Sequence, residues 1–103
     1  MKYANLHGYS DVEPYEVVRV ISDKTIEVRE MKADRDDSVV LDFVVGGFSA
    51  HCSNQNAQKW IISSEVGAPV FRIRKSKSGV WKCKHGQRFK LSETPYKYYD
   101  YNF

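Results

Sequence analysis

The stretch that decides the fold is VFRIRKSKSGVWKCKHGQRFKL, residues 70–91. Phe71 and Ile73 alternate with Arg72 and Arg74, Trp81 and Cys83 with Lys82 and Lys84, and Phe89 and Leu91 with Arg88 and Lys90. Strict alternation is the period of a half-buried strand, because successive side chains of extended chain point to opposite faces. Three strands follow one another. Ser76-Lys77-Ser78-Gly79 is a short polar turn between the first two. Setting Trp81 against Phe89 leaves Lys84-His85-Gly86 as a three-residue loop, with glycine where such a loop needs a left-handed residue. The predicted meander therefore carries its rings and aliphatic chains on one face and its cations on the other.

Upstream, EVVRVISDKTIEVREM (residues 16–31) reads as a hairpin. Facing Val18 with Val28 and Val20 with Ile26 keeps the apolar residues together around the loop Ser22-Asp23-Lys24 and turns Arg19, Glu27 and Arg29 to the wetter side. MKADRDDS (31–38) reads as a charged loop or one turn of helix. Val39–Val45 and Trp60–Ile62 read as strands, with a bend or bulge at Gly46-Gly47, a short helix from Ser53 through Gln58 capped by Ser53, and a turn over Glu65–Pro69. The expectation is one mainly β domain spanning residues 1–103: a small antiparallel barrel or sandwich of about six short strands with at most one short helix.

A length of 103 residues supports one core and one site or surface. No apolar run is long enough to span a bilayer, and the first residues lack the apolar core of a signal peptide, so the expected compartment is the cytoplasm and no membrane partner is expected. Cys52 and Cys83 are expected as thiols there. Charge is uneven: Asp11 to Asp42 holds ten acidic residues against five basic, whereas Arg72 to Lys90 holds eight basic residues and no acidic one. Arg72, Arg74, Lys75, Lys82, Lys84, Arg88 and Lys90 are accordingly the candidate binding face for nucleic acid or a nucleotide; the plainer reading is a solvated face that keeps the sheet soluble and its edges unpaired.

The ending PYKYYDYNF (95–103) puts Tyr96 and Tyr98 on one face of an extended segment and Tyr99, Tyr101 and Phe103 on the other. It reads as a closing strand, one face plugging the barrel and the other covered by an N-terminal segment bearing Tyr3, Tyr9 and Tyr15. Alternatively, Tyr96, Tyr98, Tyr99 and Tyr101 form an exposed contact patch for bases or a protein. His51-Cys52 with Cys83 and His85 offers thiols and imidazoles that zinc accepts, but neither pair has the usual ligand spacing, and a buried thiol accounts for Cys83 more simply. GGF lacks the glycines and lysine of a phosphate loop, and no carboxylate pair or Cys–His spacing announces catalysis. No catalytic residue, metal or cofactor is expected.

The runs GYSDVEPYEVVRVISDKTIEVREM, GGFSAHCSNQNAQKW and YDYNF resemble a family of small proteins encoded by tailed bacteriophages and prophages of enteric bacteria. The resemblance implies an accessory protein acting in a bacterial cytoplasm, one that binds and blocks a host component, for example a host-defence inhibitor of the anti-CRISPR or anti-restriction kind. It implies no site residues. VVRVISDKTIEVRE is also similar to the opening hairpin of SH3-like barrels, a likeness that bears on fold and not on function. Three functions thus stand as expectations: a protein-directed inhibitor with a host protein or protein–nucleic acid complex as partner, a module that holds nucleic acid or a nucleotide on the 72–90 face, and a structural protein of the virion.

Overall fold

In the computed structural model the described residues are 2–36, 43–46, 49–52 and 58–99, the segments 43–46 and 49–52 as backbone only. The strands are β1 (Tyr3–His7), β2 (Val12–Glu13), β3 (Tyr15–Ser22), β4 (Thr25–Glu30), β5 (Lys32–Arg35), β6 (Phe43–Gly46), β7 (Ser49–Cys52), β8 (Trp60–Ser63), β9 (Val70–Lys75), β10 (Trp81–Lys82) and β11 (Arg88–Ser92). Six of them close a barrel in the order β11-β10-β9-β4-β3-β1, with β1 pairing back onto β11 from Tyr3↔Ser92 to His7↔Arg88. β2 adds to the free part of the other edge of β1. Closure leaves the meander no long exposed edge, which is how a small sheet escapes edge-to-edge association.

The meander has the register its alternation dictates. Trp81 faces Phe89, the Gly86 N–H donates to the Cys83 carbonyl at 3.0 Å, and Gly86 is left-handed at φ 82°. Ile73, Trp81 and Phe89 are buried in one cluster with Ala4, Ile26 and Val28, and Leu6, Tyr15, Val17, Phe71, Cys83 and Leu91 pack around it. Tyr15 meets Phe71 and Phe89 edge to face at centroid distances of 5.7 and 5.2 Å, the arrangement the ring quadrupoles favour. Pro14, fully buried, separates β2 from β3: without an N–H it cannot continue the ladder to β1, and its carbonyl instead accepts the Met31 N–H at 3.0 Å.

The first hairpin departs from its expected register. Val20 does face Ile26, but Val28 faces Val17, not Val18, because the ladder slips between Val17 and Arg19. A second slip before Ser22 leaves a two-residue turn at Asp23-Lys24 where a three-residue loop was expected. The extra residue lets Val17 face Val28 and turn to the core, while Val18 and Val20 are exposed. Of the residues assigned to the wet side, Arg19 is exposed, whereas Arg29 is half-buried in an ion pair with Glu16, whose other oxygen accepts from Ser64 Oγ at 2.8 Å.

Residues 32–35 are a strand and not the expected loop or helical turn. β5 pairs with β8 from Lys32↔Ser63 to Arg35↔Trp60, and the Asp36 N–H donates to the Lys59 carbonyl. β6 and β7 pair in phase with that ladder, the residue numbers of each pair adding to the same value. Lys-Ala-Asp-Arg has little strand propensity of its own, and the partner strand supplies what the local sequence lacks. Val39–Asp42 and the predicted helix up to Ala57 lie outside the described residues, and Gln58 is irregular chain; the described residues contain no helix.

Candidate functional site

β10, two residues long, is the shortest strand of the barrel, and its shortness opens the surface. β9 and β10 pair only through Lys75↔Trp81 and Arg74↔Lys82, after which the chain swings into the turn at residues 83–87. Val70–Ile73 are left without a strand partner on that edge among the described residues. Between this edge and the turn lies a cleft of about 910 Å³. Tyr15, Phe71 and Cys83 form its apolar wall, and Arg72, Arg74, Lys82, Lys84, His85 and Gln87 stand around it.

Registers place the cations. Arg74 faces Lys82, Lys82 faces Arg88, and Arg88 faces His7, so four neighbouring strands carry one continuous row of basic side chains. Neighbouring strands lie about 4.8 Å apart, so Arg74, Lys82 and Arg88 step across about 10 Å of surface. All three are exposed, and none has an ion pair among the described residues. Lys90, two pairs further along β11, faces Asn5. Arg72 differs: its Nε lies 3.4 Å from Glu27 Oε2, a half-exposed contact that offsets part of its charge. Lys75 also differs, because it stands opposite Trp81 and so leaves the row, its exposed chain lying where both the cleft and a second depression beside His7 and Lys90 reach it. Lys84 belongs to the turn at the mouth of the cleft.

Two titrations follow from this packing. Burial, aided by the Lys90 charge, lowers the pKa of His7 below 6.5, which keeps it largely neutral at pH 7. Burial first, then the charges of Glu30, Glu13 and Cys83, push Tyr15 up to about 12, so its hydroxyl stays protonated at the cleft wall. The Cys83 thiol lies 3.5 Å from Gln87 Oε1. His51 and Cys52 sit side by side in β7, but their side chains are outside the description, as is Tyr101. Among the described residues no group of three or more His, Cys, Asp or Glu is placed to hold a metal ion, and no helix is long and apolar enough to cross a membrane.

Residues 95–99, the described part of the tyrosine-rich ending, form a strap and not the closing strand expected there, and residues 100–103 lie outside the described residues. The barrel has already closed at β11; beyond it, Asn5 Nδ2 donates to the Thr94 carbonyl and Asn5 Oδ1 accepts the Tyr96 N–H at 3.0 Å. Tyr98 and Val12 exchange both backbone hydrogen bonds at 2.9 Å. Lys97 reaches Glu13 at 2.6 Å and lies 5.1 Å from the Trp60 ring centroid, and Gln58 brackets the backbone of Tyr99. Tyr96 and Tyr99 remain about half exposed, Tyr98 is partly covered, and Tyr9, expected to cover the tail, is 94% exposed. The strap thus ties β2 to the β5–β8 arm.

Sequence reasoning found the row's cations but missed His7, Tyr15 and Gln87. His7 joins through pairing between opposite ends of the chain, and no local signal announces that. Comparison with protein-family models, curated proteins and solved structures gives no significant match.

Proposed function

We propose that the protein is a non-catalytic binding module that holds nucleic acid by its phosphates along the Arg74–Lys82–Arg88 row. The observation that carries the reading is the register: three cations on adjacent strands with no ion pair among the described residues, continued toward His7 and Lys90, with no carboxylate between Glu65 and Glu93 in the sequence. Like charges set across neighbouring strands destabilise a sheet, and a polyanion offsets that cost. Fluorescence anisotropy with a labelled oligonucleotide at low salt is the test. Arg74→Glu with Lys82→Glu is expected to abolish binding; unchanged affinity in that variant defeats the proposal.

A second reading is supported by a different surface. Val18, Val20 and Ile21 are exposed on β3, whose pairing with β1 ends at Tyr3↔Glu16 and the Val17 N–H to the Lys2 carbonyl. Such an edge suits a protein partner, as expected of a phage accessory protein that inhibits a host component. A pull-down from host lysate with and without nuclease separates the two: a catch lost on nuclease treatment favours the row, and a single host protein that persists favours the β3 edge.

A further inference from the structure

Resting on the nucleic-acid reading above, we infer that the ligand is single-stranded and that one of its bases enters the cleft between β9 and the 83–87 turn while its phosphates follow the row. The cleft joins two chemistries. Its wall is apolar, made by Phe71, Tyr15 and Cys83, and its rim is cationic, with Arg74 and Lys82 belonging to both rim and row. A phosphate binder needs only the second. At about 910 Å³ the cleft falls within the roughly 300–1,000 Å³ typical of sites that take a compact organic ligand.

The wall also offers polar groups of the kind a base edge uses. Tyr15 stays protonated and its hydroxyl has no hydrogen-bond partner among the described residues; since no buried side-chain oxygen there lacks one, that hydroxyl is open to solvent. The Gln87 amide bears on the same space, engaged only through its oxygen near the Cys83 thiol. The β9 edge at Val70–Ile73 contributes backbone groups that no strand covers among the described residues. A duplex keeps its bases stacked and paired and cannot deliver one into a concave cleft without flipping it out, whereas a single strand presents its bases already free. Apolar wall, free donors and cationic rim together select the single strand.

Cys83 reports directly on the cleft. In a Cys52→Ser variant it is the only thiol, and its alkylation by a small maleimide is followed with excess oligothymidylate, a duplex of equal length, or inorganic polyphosphate. Reactivity follows access, so saturating oligothymidylate is expected to slow labelling about tenfold while duplex and polyphosphate leave it within about twofold. If Cys52→Ser does not fold, the native protein is labelled and the Cys83 peptide quantified by mass spectrometry. Oligothymidylate that binds by anisotropy without protecting Cys83 overturns the cleft and leaves the row standing. Equal protection by polyphosphate or duplex also overturns it, and absence of binding by any polyanion removes both proposals.

Discussion

Replacing Arg74, Lys82 and Arg88 together by alanine turns the row into a measurement. Each phosphate contact releases condensed counterions, so for a single strand the logarithm of affinity falls with the logarithm of salt at a slope of about −0.7 per contact. Counting the row's three cations and Lys84 at the cleft mouth gives four contacts, hence a slope of about −2.8 and a loss of about fifty-fold between about 50 and about 200 mM salt. The triple variant keeps one contact, with a slope of about −0.7 and a loss of only two- to threefold, roughly, over the same range. All three side chains are exposed, so the variant's melting temperature is expected to be unchanged or slightly higher as like-charge repulsion is relieved. Anisotropy titrations at four salt concentrations give both slopes. A triple variant that folds normally and keeps the wild-type slope refutes the assignment of phosphates to this row, and salt-insensitive binding refutes an electrostatic interface altogether.

Three further outcomes test the frame behind the site. Ile73→Ala empties a fully buried position where β4 and β9 meet and is expected to cost about 2–5 kcal/mol in urea denaturation while leaving the salt slope unchanged. Asn5→Ala strands the Thr94 carbonyl and the Tyr96 N–H and is expected to cost about 1–3 kcal/mol, with faster amide exchange at Tyr96 and Tyr98 but not within β9. His7 titrates below 6.5 in the folded chain because of burial and Lys90, so as pH falls through 6.5 the unfolded chain takes up the proton first. Stability is therefore full above that pH and declines below it. His7→Asn is expected to flatten this part of the profile, and an equally steep decline in that variant assigns the slope elsewhere.

How far the molecule is legible in its sequence depends on where the deciding interaction lies. The 70–91 meander is self-specifying: alternation sets its faces and Gly86 fixes its second turn, so Trp81↔Phe89 and the separation of Arg74, Lys82 and Arg88 from Ile73 and Phe89 follow from local rules. β3 defeats the same rules because VVRVI has apolar residues in adjacent positions, and alternation alone cannot choose which valine faces Val28; a bulge chooses Val17. β5 is invisible because its strand character comes from β8, and residues 95–99 read as a strand because their tyrosines alternate between two faces while the contacts that hold them, at Asn5, Glu13 and Gln58, lie far away in sequence. The cleft is hardest to foresee, since it arises from pairing that stops at Arg74↔Lys82.

The disposition of charge connects the fold to its proposed use. Where the barrel needs ions for its own construction, they come in pairs: Glu16 with Arg29 where the arm leaves and returns, Glu13 with Lys97 under the strap. Both pairs are largely covered; the first spans the β3–β4 hairpin and the second joins β2 to the strap, far apart in sequence. The row does the reverse, spacing its exposed cations across one sheet without acidic neighbours on β9, β10 and β11. Solubility alone is better served by interspersed charges of both signs. The seam where β10 leaves β9 then places an apolar concavity directly beside Arg74 and Lys82, and it is this adjacency, more than the net charge of +3, that favours a ligand carrying both rings and phosphates.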